Sequence, residues 1–163
     1  MKGSAAIAAG LAGASTIASL HEGFRRLTPD APRMDLLDME ALRKTLKAIH
    51  VKVPGRSELL KWTVAGEAAG NIFYYSVAGV GGRKSVWLRS ALLGLAAGIT
   101  AVVLPKPLGL SEAHSNRTPQ TKVMTIGLYL IGGLVAAAVS TLVDDAYQNR
   151  TALQEGVASE SEP

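Results

Sequence analysis

Apolar residues gather in four long runs, Gly3 to Leu20, Trp62 to Val80, Val86 to Leu104 and Val123 to Val143, with nearly all charge confined to the segments between them. A hydrocarbon core about 30 Å thick takes roughly 20 helical residues at 1.5 Å each. The pattern therefore predicts an all-α, four-span transmembrane helix bundle with spans of about 3–20, 62–80, 86–104 and 123–143. Each run meets something that ends a span. His21, Glu22, Arg25 and Arg26 close the first, Gly81-Gly82-Arg83-Lys84 parts the second from the third, Pro105-Lys106-Pro107 follows the third, and Asp144-Asp145 closes the fourth. Trp62 and Trp87 stand at the start of their runs, where an indole keeps its N–H among headgroups and its rings in the acyl boundary. The first run also has the outline of a signal peptide, but its Gly-rich composition and the lack of a clean small-x-small site before His21 favour a retained span.

The long polar segment has a pattern of its own. After Asp35, read as an N-cap, Met39, Leu42, Leu46, Ile49 and Val53 recur at helical spacing, with Arg43, Lys44 and Lys47 largely off that stripe. This predicts a cytoplasmic amphipathic helix, either lying on anionic lipid or packed under the bundle. Pro54-Gly55 breaks it. Residues 1–150 form one membrane domain on this reading, and the polar, acidic segment 151–163 is expected to be disordered.

Composition sharpens the picture. A content of 48% hydrophobic residues with a mean hydropathy of +0.21 is too apolar for an ordinary soluble domain of 163 residues. The net charge of +4 comes without the aromatic platforms or soluble basic helix of a nucleic-acid binder, so no nucleic-acid partner is expected. The chain has no cysteine, hence no disulfide framework, Cys-based zinc site or thiol nucleophile. With four spans, twelve Lys and Arg fall on the side of the two longer loops and five on the other. The positive-inside rule then puts those loops in the cytoplasm and both termini outside it.

Small residues four apart mark helix contacts in lipid, and every span has them: Ala6-Gly10 and Ala9-Gly13, Gly66-Gly70, Gly94-Gly98, and Gly133-Ala137. The first span, poor in Leu, Ile and Phe, should be largely enclosed. The second holds a candidate polar site. Thr63, Glu67, Asn71 and Tyr74 fall on one helical stripe, and an acid there should face protein or water. Its natural partners at the same level are His21, Arg25 and Arg26, with Glu22 beside them in the candidate site, either as a structural ion pair or hydrogen bond or as part of a proton or cation site. Arg89 is expected to pair with Asp144.

Other motifs fail on spacing. His21-Glu22 lacks the second His of a metalloprotease, since position 25 is Arg, so no metal site is expected. Gly79 to Ser85 lacks the Gly before Lys that a phosphate loop needs. Ser115 to Thr121 should cap the last helix and meet Asp30 to Asp35 of the longer loop, the most plausible binding surface outside the spans.

The stretches LHEGFRRLTPDAPRMD and PLGLSEAHSNRTPQT resemble a pattern of small, uncharacterised multi-pass bacterial integral membrane proteins. The resemblance implies a bacterial inner-membrane location and carries no functional residue. The expected role is structural or accessory, with membrane lipid as partner and self-association through small-residue faces. The alternatives are a small-solute or proton-linked transporter using Glu67, and a membrane enzyme acting on lipid at the inner leaflet, for which His21 and His114 are the obvious imidazole candidates. No cofactor is expected.

Overall fold

The computed structural model describes residues 3–160, with side chains to 154. The chain forms α1 (Gly3–Leu27), α2 (Met34–Ala48), α3 (Arg56–Ala78), α4 (Val86–Val103) and α5 (Pro119–Glu160), with short 3₁₀ turns at Arg83–Ser85 and Glu112–His114, and no strand among the described residues. Three helical stretches are long and apolar enough to cross a membrane: Gly3–Leu27, Arg83–Val103 and Pro119–Gln154. The helix carrying the second expected span is not among them. Glu67, Asn71 and the charges of its first turns, Arg56, Glu58 and Lys61, dilute its apolar content.

The helices run alternately up and down. α1 packs against α3 on one side and α5 on the other, while α4 lies against α5. Both long connections, 28–33 with α2 and 104–118, therefore sit at one end of the bundle, and the short α3–α4 turn sits at the other. A core of Ala9, Ile17, Tyr75 and Ala136 lies where α1, α3 and α5 meet. The Tyr75 hydroxyl ties that core together by donating to the Tyr129 carbonyl of α5 at 2.8 Å.

Small residues set the helix separations. A β-carbon built on Gly94 would stand 2.6 Å from the Tyr129 carbonyl oxygen, and one on Gly133 only 2.4 Å from that of Ser90. α4 and α5 are thus in backbone contact, as small-residue faces permit in lipid. Gly10 and Gly13 bring α1 equally close to α3 and α5, and α1 is enclosed along Ala5, Ala6, Ala9, Gly10 and Gly13. Gly66 and Gly70 depart from this pattern: nothing lies within 4 Å of where their β-carbons would be. They mark an open face.

The loop helix forms, but in a different register. Arg33, not Asp35, occupies the N-cap position; Asp35 lies in the first turn and accepts two hydrogen bonds from the Arg33 guanidinium at 2.8 and 2.9 Å. The helix stops at Ala48, which leaves Val53 outside it. Met34, Leu37 and Met39 are buried, whereas Ile49 is 60% exposed. The face pressed against the bundle is centred on Met34 and Leu37, so the first half of α2 is packed beneath the other helices. Thr118 caps α5, its hydroxyl accepting the Thr121 N–H at 3.0 Å with Pro119 at the first helical position. α5 continues to Glu160 through most of the segment expected to be disordered, because no proline interrupts it after Pro119. Residues 161–163 lie outside the described residues.

Candidate functional site

At the loop end, the last turns of α1, the start of α2 and the middle of α3 enclose a cavity of about 460 Å³. His21, Glu22 and Arg25 line it from α1, Asp35 from α2, and Glu67 and Asn71 from α3. Five of the eight residues expected to form the polar site thus share one space. Thr63 is buried and donates to the Leu59 carbonyl of its own helix at 2.8 Å. The Tyr74 hydroxyl donates to the Leu93 carbonyl at 2.8 Å and ties α3 to α4. Arg26 lies outside the cavity and bonds Glu22.

The pairing within this group decides its chemistry. Glu22 accepts Arg25 at 2.5 Å and Arg26 at 2.8 Å, so the two cations expected to serve Glu67 are taken by a neighbour on their own helix. These are i, i+3 and i, i+4 pairs, which a helix makes without help from another element. Asp35 is matched by Arg33. Burial pushes the Asp35 carboxyl up, but the Arg33 hydrogen bonds and charge outweigh it and hold the group below the usual aspartate range. His21 is held at the start of α2, its Nε2 2.7 Å from the Pro32 carbonyl oxygen and 3.4 Å from the Met34 backbone nitrogen. Glu67, half-buried, accepts no hydrogen bond and joins no ion pair among the described residues.

A second unpaired acid lies next to it. Asp38 of α2 and Glu67 border a common opening together with Trp62, Asn71 and Tyr129. Asp38 is half-buried and has neither hydrogen bond nor counter-ion among the described residues. Burial first, then the charge of Asp35 one turn away, push its carboxyl up to about 6. The sequence pattern missed Asp38 because the apolar stripe it picked out runs through Met39. The available signal was Asp35 and Asp38 at i, i+3 beside Met34 and Leu37, which places two acids next to the packed face.

The rest of the loop end is a hydrogen-bonded seal, and here the two polar loops do meet. The Arg33 N–H donates to the His114 carbonyl at 2.7 Å, and the Thr121 hydroxyl donates to the Asp30 carbonyl at 2.8 Å. Arg117 donates to the Pro29 carbonyl and, at 3.2 Å, to the Asp30 carboxylate. Glu40 accepts the Ser111 N–H at 3.1 Å and lies 3.5 Å from His114, while Lys44 reaches the Leu108 carbonyl. α2 is held from both sides. At the opposite end the expected Arg89–Asp144 pair does not form. Arg89 instead donates to the Ala78 carbonyl at the end of α3, from Nε at 3.0 Å and Nη2 at 2.8 Å, and Asp144 accepts from Gln148 at 3.1 Å. The ion pair across the bundle is Arg83 with Asp145. The end of α3 leaves a carbonyl without an intrahelical donor, and Arg89, one turn into α4, is the nearest cation to satisfy it.

No protein-family model, curated protein or solved structure matches this chain.

Proposed function

We propose that the chain is a four-span inner-membrane protein with both termini outside the cytoplasm, and that Asp38 and Glu67 form the exchangeable proton or cation site of a small-solute transporter. The single observation behind this reading is the pairing pattern: the neighbouring Glu22 and Asp35 each have an arginine, and these two, facing one opening, have none. An unmatched carboxylate costs stability, and such groups cluster where a protein binds or moves charge. Asp38, pushed up to about 6, takes and gives a proton near neutral pH. For α3 as the fourth span, the support is its length of 23 residues, about 34 Å of helix, and its place alongside α1 in the bundle. The exposed Arg43 and Lys47 of α2 would then face anionic headgroups.

Two other roles fit less of the geometry. Self-association through the small-residue pairs would fall to Gly66 and Gly70 alone, since Gly10, Gly13, Gly94 and Gly133 all serve contacts inside the bundle. A lipid-directed enzyme would need an available imidazole, whereas His21 is engaged by Pro32 and His114 lies against Glu40. Proteoliposomes loaded with a pH-sensitive dye and set acidic inside test the proposal. Adding sodium, potassium or methylammonium outside should release internal protons for at least one of the three, and Glu67→Gln should abolish the release in a protein that still folds. Proton movement unchanged by Glu67→Gln removes the site from the mechanism.

A further inference from the structure

Around α3 from the Glu67 cavity, two adjoining openings of about 380 and 470 Å³ share Asp38, Gly70, Asn71 and Tyr129 and run together as one groove. Its apolar wall comes from α4, through Ala97, Thr100 and Ala101, and it follows the gap where α3 and α4 diverge from their short turn. α3 and α4 touch far less than α4 and α5 do, so the groove opens sideways, toward the surroundings of the bundle.

Three independent features describe what fits it. The first is charge: Asp38 and Glu67 line the groove, and among the described residues no Lys or Arg does. The second is aromatic: Trp62 and Tyr129 stand beside the acids, and the Tyr129 hydroxyl has no hydrogen-bond partner among the described residues. Ring faces next to carboxylates attract organic cations with bulky, weakly hydrated charge. The third is space. Gly in a helix carries a cost in helix propensity relative to Ala. At Gly94 or Gly133 that cost is offset by helix contact, but at Gly66 and Gly70 no protein atom uses the room. Nor do the acids gather into a metal-binding group, since no cluster of three or more His, Asp or Glu is placed to hold an ion among the described residues.

We propose that this groove binds a lipophilic monovalent cation, an organic ammonium or phosphonium whose charge rests between Asp38 and Glu67 and whose apolar body lies along Gly66, Gly70 and the α4 wall. The ligand enters from the membrane side, between α3 and α4. This rests on reading Asp38 and Glu67 as an exchangeable site and adds the class of its occupant. Protons compete for the same groups. The titratable side chains facing Asp38 are Asp35 on its own helix, Glu67 on α3 and Tyr129 on α5, with His21 of α1 acting on Glu67 from the other cavity.

Binding of radiolabelled tetraphenylphosphonium to the full-length protein in detergent, followed by equilibrium dialysis, tests the proposal. The wild type should bind saturably, with affinity falling as pH drops from about 7.5 to about 5 and Asp38 takes up its proton. Asp38→Asn should weaken binding by about tenfold or more, the scale of a lost charge-assisted contact. Gly70→Leu puts a side chain into the groove from a position where the β-carbon meets no protein atom, so it should abolish binding while leaving the melting temperature within a few degrees of wild type. Non-saturable partitioning, or equal binding by wild type and Gly70→Leu, overturns the proposal. If methylammonium releases protons yet tetraphenylphosphonium does not bind, the groove assignment fails and the exchange site stands. Saturable binding lost in Gly70→Leu, without proton movement by any cation, leaves the groove assigned and removes the transport role.

Discussion

The α4–α5 contact and the groove beside α3 show two uses of glycine on a helix. Along α4 and α5, glycines remove side chains so that backbones touch, and Gly94, Gly98 and Gly133 have no room for even one carbon more. Along α3, Gly66 and Gly70 remove side chains and nothing moves in. The same residue type thus closes one interface and leaves the other open. The polar groups divide the same way. Arg83 with Asp145, and Arg89 with the Ala78 carbonyl, satisfy the far end, while Asp38 and Glu67 stay unpaired beside α3. A closed half that fixes geometry and an open half that keeps unmatched charge is what a binding protein needs, because site residues trade stability for readiness.

Substitutions at the two sets of glycines should break this comparison most sharply. Gly94→Leu drives a side chain into the backbone of Tyr129 and Leu130, which cannot rotate away, so thermal unfolding in detergent should show a loss of about 3 kcal/mol or more, at or beyond the upper end of overpacking costs. Gly66→Ala should be neutral or stabilising by up to about 1 kcal/mol, from helix propensity alone. Equal effects at both positions would mean that α3 is as tightly packed as α4.

Asp38→Asn comes next, and its sign is the opposite of what removing a normal salt-bridge partner gives. A carboxyl pushed up in the folded protein holds its proton more tightly there than in the unfolded chain, so its contribution is harmless at low pH and becomes destabilising as pH rises toward about 6. The variant should therefore melt higher than wild type at pH about 7.5, and the advantage should vanish below the ordinary aspartate value near 4. A lower melting temperature at neutral pH would reveal a partner for Asp38 and remove it from the site. Tyr75→Phe deletes the hydroxyl that donates to Tyr129 and should cost about 1 kcal/mol. Arg83→Ala, which removes an exposed pair, should leave the melting temperature almost unchanged, and any small loss should disappear in high salt.

Much of this was legible along the chain. Apolar runs and their charged ends located the long helices, and small residues four apart located the contacts of α1, α4 and α5. The Glu67–Asn71 stripe predicted an inward-facing acid, and the two polar loops were expected to meet. What the pattern did not carry was phase within short segments. Whether Arg83 or Arg89 reaches α5 depends on the path of the Gly81-Gly82 turn, where Gly81 has φ +101°, and no periodicity encodes that path. The packed face of α2 turned toward Met34 and Leu37 because the loop seal through Arg33, Glu40 and Lys44 orients the helix, and that seal is made with residues far away in sequence. The partner of Glu67 was misjudged for a related reason: Arg25 and Arg26 lie at the right level, but Glu22 on the same helix engages them first.

The absence of native cysteine makes the central claim, an open acidic groove beside a closed bundle, directly measurable. Gly70→Cys on the groove and Ala136→Cys in the core can each be exposed to a trimethylammonium methanethiosulfonate and to its sulfonate counterpart. The account predicts that Gly70→Cys reacts readily, and at least about tenfold faster with the cationic reagent, as unmatched carboxylates concentrate positive charge, while Ala136→Cys stays unmodified. Equal rates with both reagents at Gly70→Cys, or protection as complete as at Ala136→Cys, would contradict it.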